Sequence, residues 1–262
     1  MTFIQRLRHM KLRRCALALC PFRMLQVRDR SSCLVRLRQG FVARHYFFVA
    51  GKDTVVNMKV LLVNSSPHET GSVYTALSEM IAVFKAEGVE TKLINIGKKD
   101  VRGCIACLSC RKTGKCVFDD VVNEAAKDFA ECDGFVIGAP VYYASANATA
   151  SAFCDRLFYS TPFDKTMKVG AAVVSARRGG CTASFDQLNK YFTISSMPIA
   201  TSQYWNQIHG NCAEDAKQDA EGLQTMRTLA RNMVFLMRSI ELGKEKFGLP
   251  EKEQPQRTNF IR

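Results

Sequence analysis

From Met58 onward the chain alternates short, unbroken apolar runs with stretches of helical period, and no other feature restricts its fold as much. Lys59-Val60-Leu61-Leu62-Val63-Asn64 is apolar toward both faces, as a strand buried in a parallel sheet must be. Gly71 to Glu87 then carries Val73, Leu77, Met80, Ile81 and Phe84 at helical spacing, and Gly88 stops it. Residues 92–96, 134–138 and 169–174 read as further strands, and 198–201 as a weaker fifth. Residues 121–132, 146–159, 182–191 and 214–246 read as helices, the last with a break near Gly222. Right-handed crossovers place such helices on both faces of one sheet, which predicts an α/β, doubly wound, three-layer sandwich with five parallel strands. Ligands in such folds bind beyond the carboxyl ends of the strands, at the switch point. The loops after strands one, three and four are therefore the ones to read for chemistry.

The formal net charge of +13 suggests a polyanionic partner until it is located. Residues 1–57 hold ten Arg and two Lys against two acids, whereas the remaining 205 residues hold 25 bases and 22 acids. The body carries no field that would favour nucleic acid. The basic front has the composition of a transit peptide, and a membrane-surface segment fits it as well. The change from Arg-rich to Lys-rich usage, with a strand starting at Met58, favours a third reading. Residues 1–57 are then an extension, disordered or upstream of the true start, followed by a domain at 58–247 and a polar tail at 248–262. No run of 18 apolar residues exists, so no membrane-spanning helix is expected.

Three loops carry candidate ligand groups. Asn64 to Val73 leaves the first strand and opens a helix, with hydroxyls and helix-initial amides that suit a phosphate. It matches neither a dinucleotide fingerprint nor a Walker loop, and an ordinary capped turn fits it too. Ala139 to Asn147 sets Tyr142 and Tyr143 beside backbone amides, where they can flank a flat ring or simply cover the sheet end. Ser175 to Gly180 places Arg177 and Arg178 beside two glycines, an anion-binding turn or a solvated one.

Cys104, Cys107, Cys110 and Cys116 form C-x2-C-x2-C-x5-C. Without a secretory signal, clustered cysteines favour metal or redox chemistry over disulfides, and a cytoplasmic location goes with that. Four thiols within thirteen residues can ligate one centre, and the compact spacing favours [4Fe–4S] over zinc. Free thiols in a loop remain the alternative.

Taken together these blocks resemble the flavodoxin-like NAD(P)H-dependent FMN reductases and their iron-sulfur flavoprotein branch. Ser65-Ser66-Pro67 with Gly71-Ser72 is similar to the family's opening loop, and Gly138-Ala139-Pro140-Val141-Tyr142 with Phe153-x-Asp155-Arg156 to its central block. The cysteine motif followed by Asp119-Asp120 resembles the iron-sulfur branch, as do Arg177-Arg178-Gly179-Gly180 and Ser202-Gln203-Tyr204-Trp205. The resemblance implies strand order 2-1-3-4-5 and FMN at the carboxyl edge of the sheet. Ser66, His68, Gly71, Ser72, Val73 and Tyr74 would surround its phosphate. Pro140, Val141, Tyr142 and Tyr143 would line its ring, with Ser175, Arg177, Arg178 and Gly179 closing the other side. Many relatives carry Arg where this chain has His68, so less fixed charge would meet the phosphate here.

The activity implied is hydride transfer from NAD(P)H to FMN and onward to a small-molecule acceptor or an electron-transfer protein, in a homodimer or homotetramer. The iron-sulfur branch implies an electron carrier with a ferredoxin-like partner. No side chain is required as acid or base, so none is assigned a catalytic role.

Overall fold

The structure, a computed structural model, describes residues 57–260. The basic extension expected over 1–57 lies outside them but for its last residue. In chain order the elements are β1 (Lys59–Asn64), α1 (Ser72–Ala86), β2 (Glu90–Asn95), α2 (Cys110–Thr113), α3 (Val121–Glu131), β3 (Gly134–Tyr142), β4 (Ser145–Ala146), α4 (Ala148–Ser160), β5 (Val169–Ala176), α5 (Cys181–Ile194), β6 (Gln207–His209), α6 (Ala213–Gln218) and α7 (Ala220–Phe247). The parallel sheet runs β2-β1-β3-β5-β6. The two-residue β4 folds back antiparallel on the end of β3. With β4 set aside, this is the doubly wound order 2-1-3-4-5.

Strand alternation builds two cores, one on each face. Val60 and Leu62 of β1, Val136 of β3, and Val169, Ala171 and Val173 of β5 face α1 and α7, where they meet Leu77, Met80, Phe84, Leu229 and Met233. Leu61 and Val63, Phe135 and Ile137, and Ala172 and Val174 face the other way, onto Val122, Phe129, Phe153, Leu157, Leu188 and Phe192. Each large apolar side chain buried this way stabilises the fold by ~1.5–3 kcal/mol. Among the described residues no helix is long and apolar enough to cross a membrane.

One strand was misplaced by the sequence pattern. Pro198–Thr201 supplies only an isolated bridge, Gly170 to Ile199. The strand that completes the sheet is β6, paired with Val174 to Ala176. β6 has three residues and buries only Ile208, so it carries no apolar run to detect. The break expected near Gly222 falls at Asp219. Its carboxylate accepts from Gly222 N (2.9 Å) to start α7 and from His209 N (2.7 Å) at the end of β6.

Candidate functional site

Four loops meet at the carboxyl ends of β1, β3, β5 and β6 and enclose a cleft of about 500 Å³. Ligand clefts usually run to roughly 300–1,000 Å³. Its shape starts with Asn64, buried at the end of β1, which donates to Asn95 Oδ1 (3.0 Å) and accepts from Ser66 N (3.0 Å). Next to it, Ser65 Oγ lies 2.9 Å from Gly138 O and 2.8 Å from Asn147 Oδ1, while Asn147 Nδ2 donates to Ser65 O at 2.8 Å. The first loop is thereby fixed to both neighbouring strands and to the start of α4.

Gly97 enforces the position of that loop from outside. A Cβ there would stand 1.9 Å from Ser66 O and 2.5 Å from Pro67 N, both backbone atoms. Gly97→Ala is therefore expected to displace the loop, costing about 1–3 kcal/mol as overpacking does. Paired chemical-denaturation curves would show it as a lower midpoint with an unchanged slope.

At the loop's end, α1 begins at Gly71 with no side chain capping its first amides and no acid in its first turn. Those amides and the positive end of the helix dipole are left to whatever enters the cleft, an arrangement suited to an anion. Opposite them, Ser72 Oγ donates to Cys212 O at 2.9 Å and draws the β6–α6 loop against α1.

The second loop is a two-residue hairpin. Tyr143 (φ 51°) and Ala144 (φ 59°) both lie in the left-handed region, unusual for residues with side chains. The hairpin is held by Gln187 Oε1, which accepts from Ser145 Oγ (2.7 Å) and Ala146 N (3.1 Å). Gly180 (φ +95°) closes on its back, where a Cβ would stand 2.8 Å from Ala144 Cα. A strained turn held this firmly fixes the end of β3 at the cleft.

Of the residues singled out in the sequence, Ser66, His68, Gly71, Ser72, Val73, Pro140, Val141, Tyr142, Ser175 and Arg177 line this one cleft. Tyr74, Tyr143, Arg178 and Gly179 are not among its lining residues. Tyr74 is half-buried on α1, and the other three are exposed. The sequence reading missed Gly210, Asn211, Cys212, Ala213 and Glu214, which supply the fourth wall. They follow β6, whose place in the sheet the sequence pattern does not show, and the sequence reading covers only the loops after the first, third and fourth strands. Glu214 is fully exposed, and a hydrogen bond from its own amide, seconded by Cys212, keeps its carboxyl below the usual range.

The cysteine lobe, from Arg102 to Asp120, lies between β2 and α3. Cys104, Cys107, Cys110 and Cys116 all line one depression, walled by Ile105, Leu108, Val117, Phe118 and Tyr159. Ala106 (φ 52°) and Leu108 (φ 59°) wind the chain left-handed between the first three cysteines. Among the described residues, no three His, Cys, Asp or Glu side chains sit close enough to hold a single metal ion. Four thiols around one depression are sulfur donors of the kind used by both iron–sulfur clusters and structural zinc.

Asn123 brackets Cys116, accepting from its amide (3.0 Å) and donating to its carbonyl (3.0 Å). Arg156 of α4 reaches the same cysteine and pairs with Asp120 through 2.7 and 2.8 Å contacts. Burial opposes the Arg156 charge, but Asp120 and Cys116 outweigh it and raise its pKa further.

The comparisons with known proteins agree with this architecture. The sequence model of the NADPH-dependent FMN reductase family matches residues 58–210. An iron-sulfur flavoprotein of Methanocaldococcus jannaschii is 32% identical over 195 residues, covering 70% of this chain and 100% of that protein. An iron-sulfur flavoprotein of Methanosarcina thermophila is 28% identical over 194 residues, covering 72% of this chain and 100% of that protein. Among solved structures, RosB with bound 8-demethyl-8-formylriboflavin-5'-phosphate aligns at a TM-score of 0.58 and 12% identity, over 78% of this chain and 92% of that one. That last likeness speaks for the flavodoxin-like three-layer fold alone. With over half its length matched by the family's own pattern, the chain belongs to the NADPH-dependent FMN reductase family.

Proposed function

We propose that the protein is an FMN-dependent oxidoreductase that draws hydride from NADH or NADPH and passes electrons to a second acceptor. The observation that carries this reading is the uncapped start of α1, open to a cleft at the β1/β3 switch point. The amides of Ser72 and Val73 would hold the phosphate, with the Ser66 hydroxyl beside them. Pro140, Val141 and Tyr142 would bound one side of the flavin ring. Ser175 and Arg177 would bound the other, where the guanidinium favours negative charge developing on the ring. The flavin, when bound, supplies the redox chemistry, and the protein's part is to hold it, orient it and set its electrostatics.

Anaerobic addition of NADH or NADPH to the flavin-loaded protein should bleach the flavin absorbance, with about one equivalent of nicotinamide consumed per flavin. If neither nicotinamide reduces the flavin while dithionite does, the hydride-donor part of the proposal is wrong.

A second reading rests on a separate observation, the four thiols around one depression. On this reading the lobe holds a [4Fe–4S] cluster ligated by Cys104, Cys107, Cys110 and Cys116, and electrons leave singly for a ferredoxin-like protein. The names of the two archaeal relatives support it. Iron and sulfide analysis decides between the readings: flavin alone favours the plain reductase, and flavin with about four irons per chain favours the electron carrier.

A further inference from the structure

Arg156 is among the largest fully buried residues, and its side chain has no exposure. A buried guanidinium is tolerated only when its donors are used. Here all three nitrogens have partners. Nη1 donates to Asp120 Oδ2 (2.7 Å) and Arg102 O (3.3 Å), and Nη2 to Asp120 Oδ1 (2.8 Å) and Phe118 O (3.2 Å). Nε has one hydrogen, and it goes to Cys116 Sγ at 3.2 Å.

The geometry separates charge from dipole. Asp120 engages the guanidinium through both terminal nitrogens and balances its charge. Cys116 therefore meets an N–H donor from a balanced pair, oriented at its sulfur by a side chain that cannot rotate away. Hydrogen bonds to the sulfurs of an iron–sulfur cluster help set its potential. They stabilise the reduced state more than the oxidised one, because reduction adds negative charge to the sulfurs.

We propose that Arg156 is a positioning residue that raises the reduction potential of the centre ligated by Cys116, through its Nε–H···Sγ bond. This proposal rests on the iron–sulfur reading of the lobe. The step concerned is the gain of one electron by the cluster with no proton taken up.

The test uses the anaerobically prepared full chain in three forms: wild type, Arg156→Lys, and the double variant Arg156→Met/Asp120→Asn. A lysine ammonium can still meet Asp120 but offers no donor where Nε stands. The double variant removes both charges together, so the half-buried Asp120 carboxylate is not left without its partner. Iron and sulfide are measured first. Dithionite then supplies electrons in a potentiometric titration read by electron paramagnetic resonance.

Both variants should keep iron and show a reduction equilibrium about tenfold less favourable than wild type, a fall of about 59 mV for one electron. An unchanged midpoint in iron-loaded variants would overturn the tuning role and leave the cluster reading intact. Loss of iron from both variants, with wild type loaded, would also overturn it and make Arg156 a structural anchor. A wild type without iron after anaerobic reconstitution would overturn the cluster reading and this proposal together.

Discussion

Ser72→Glu is expected to weaken FMN binding by at least a hundredfold without unfolding the protein. The new carboxylate would stand at the first turn of α1, where the phosphate is proposed to sit. Two unit charges 4 Å apart repel by ~1 kcal/mol in water and ~4 kcal/mol at the dielectric typical of a protein surface. A phosphate carries more than one charge, so a loss of ~2.7 kcal/mol, a hundredfold, lies well within this range. The fold has a compensating gain, because an acid at a helix N-terminus contributes about 0.3–1 kcal/mol through the dipole. Against that stands the bond from Ser72 Oγ to Cys212 O, whose loss costs about 0.5–1.5 kcal/mol. Titration of apo-protein with FMN, followed by flavin fluorescence, measures the effect. An unaltered dissociation constant would place the phosphate elsewhere.

The second large effect concerns the cysteine lobe. Replacing any one of Cys104, Cys107, Cys110 or Cys116 by Ala should remove the iron of an anaerobically prepared sample. A missing thiolate leaves one iron without a protein ligand, open to water and oxygen. FMN should stay bound, since the cleft is lined by other loops. Cys132 and Cys154 serve as internal controls, because burial raises the Cys132 thiol to about 12 and Cys154 still higher, so neither is a thiolate at neutral pH. Iron per chain in the four variants and the two controls reads the result. Equal iron in all six would separate the metal from this motif.

Much of this is legible in the sequence alone. β1, β3 and β5 announce themselves because strands buried on both faces must be apolar throughout, and α1 because its core face repeats at helical spacing. The first three loops are found for the same reason: where such a strand ends, the cleft begins. β6 leaves no such trace. It has a single buried apolar residue and takes its place by pairing with β5 and by the hold of Asp219 on His209 N, neither of which is written locally. With it went the fourth wall, Gly210 to Glu214.

Tyr143 shows a different limit. Its neighbour Tyr142 lines the cleft, but the two-residue hairpin turns Tyr143 out to solvent. Its positive φ (51°) takes the chain out of the strand just after Tyr142, a turn that no glycine marks in the sequence. The cysteine spacing singles out four thiols that share one depression. It could not reveal Arg156, whose role depends on α4 packing against a loop 40 residues away.

FMN is proposed to occupy the cleft beside α1. The cleft offers one helix start for one phosphate, and the chain has no dinucleotide fingerprint for a second. The most direct measurement is to denature the purified protein and identify the released cofactor by chromatography against FMN and FAD. FMN in an amount equal to the protein chain is the expected result. FAD, or no flavin even after incubation of the apo-protein with FMN, would contradict it.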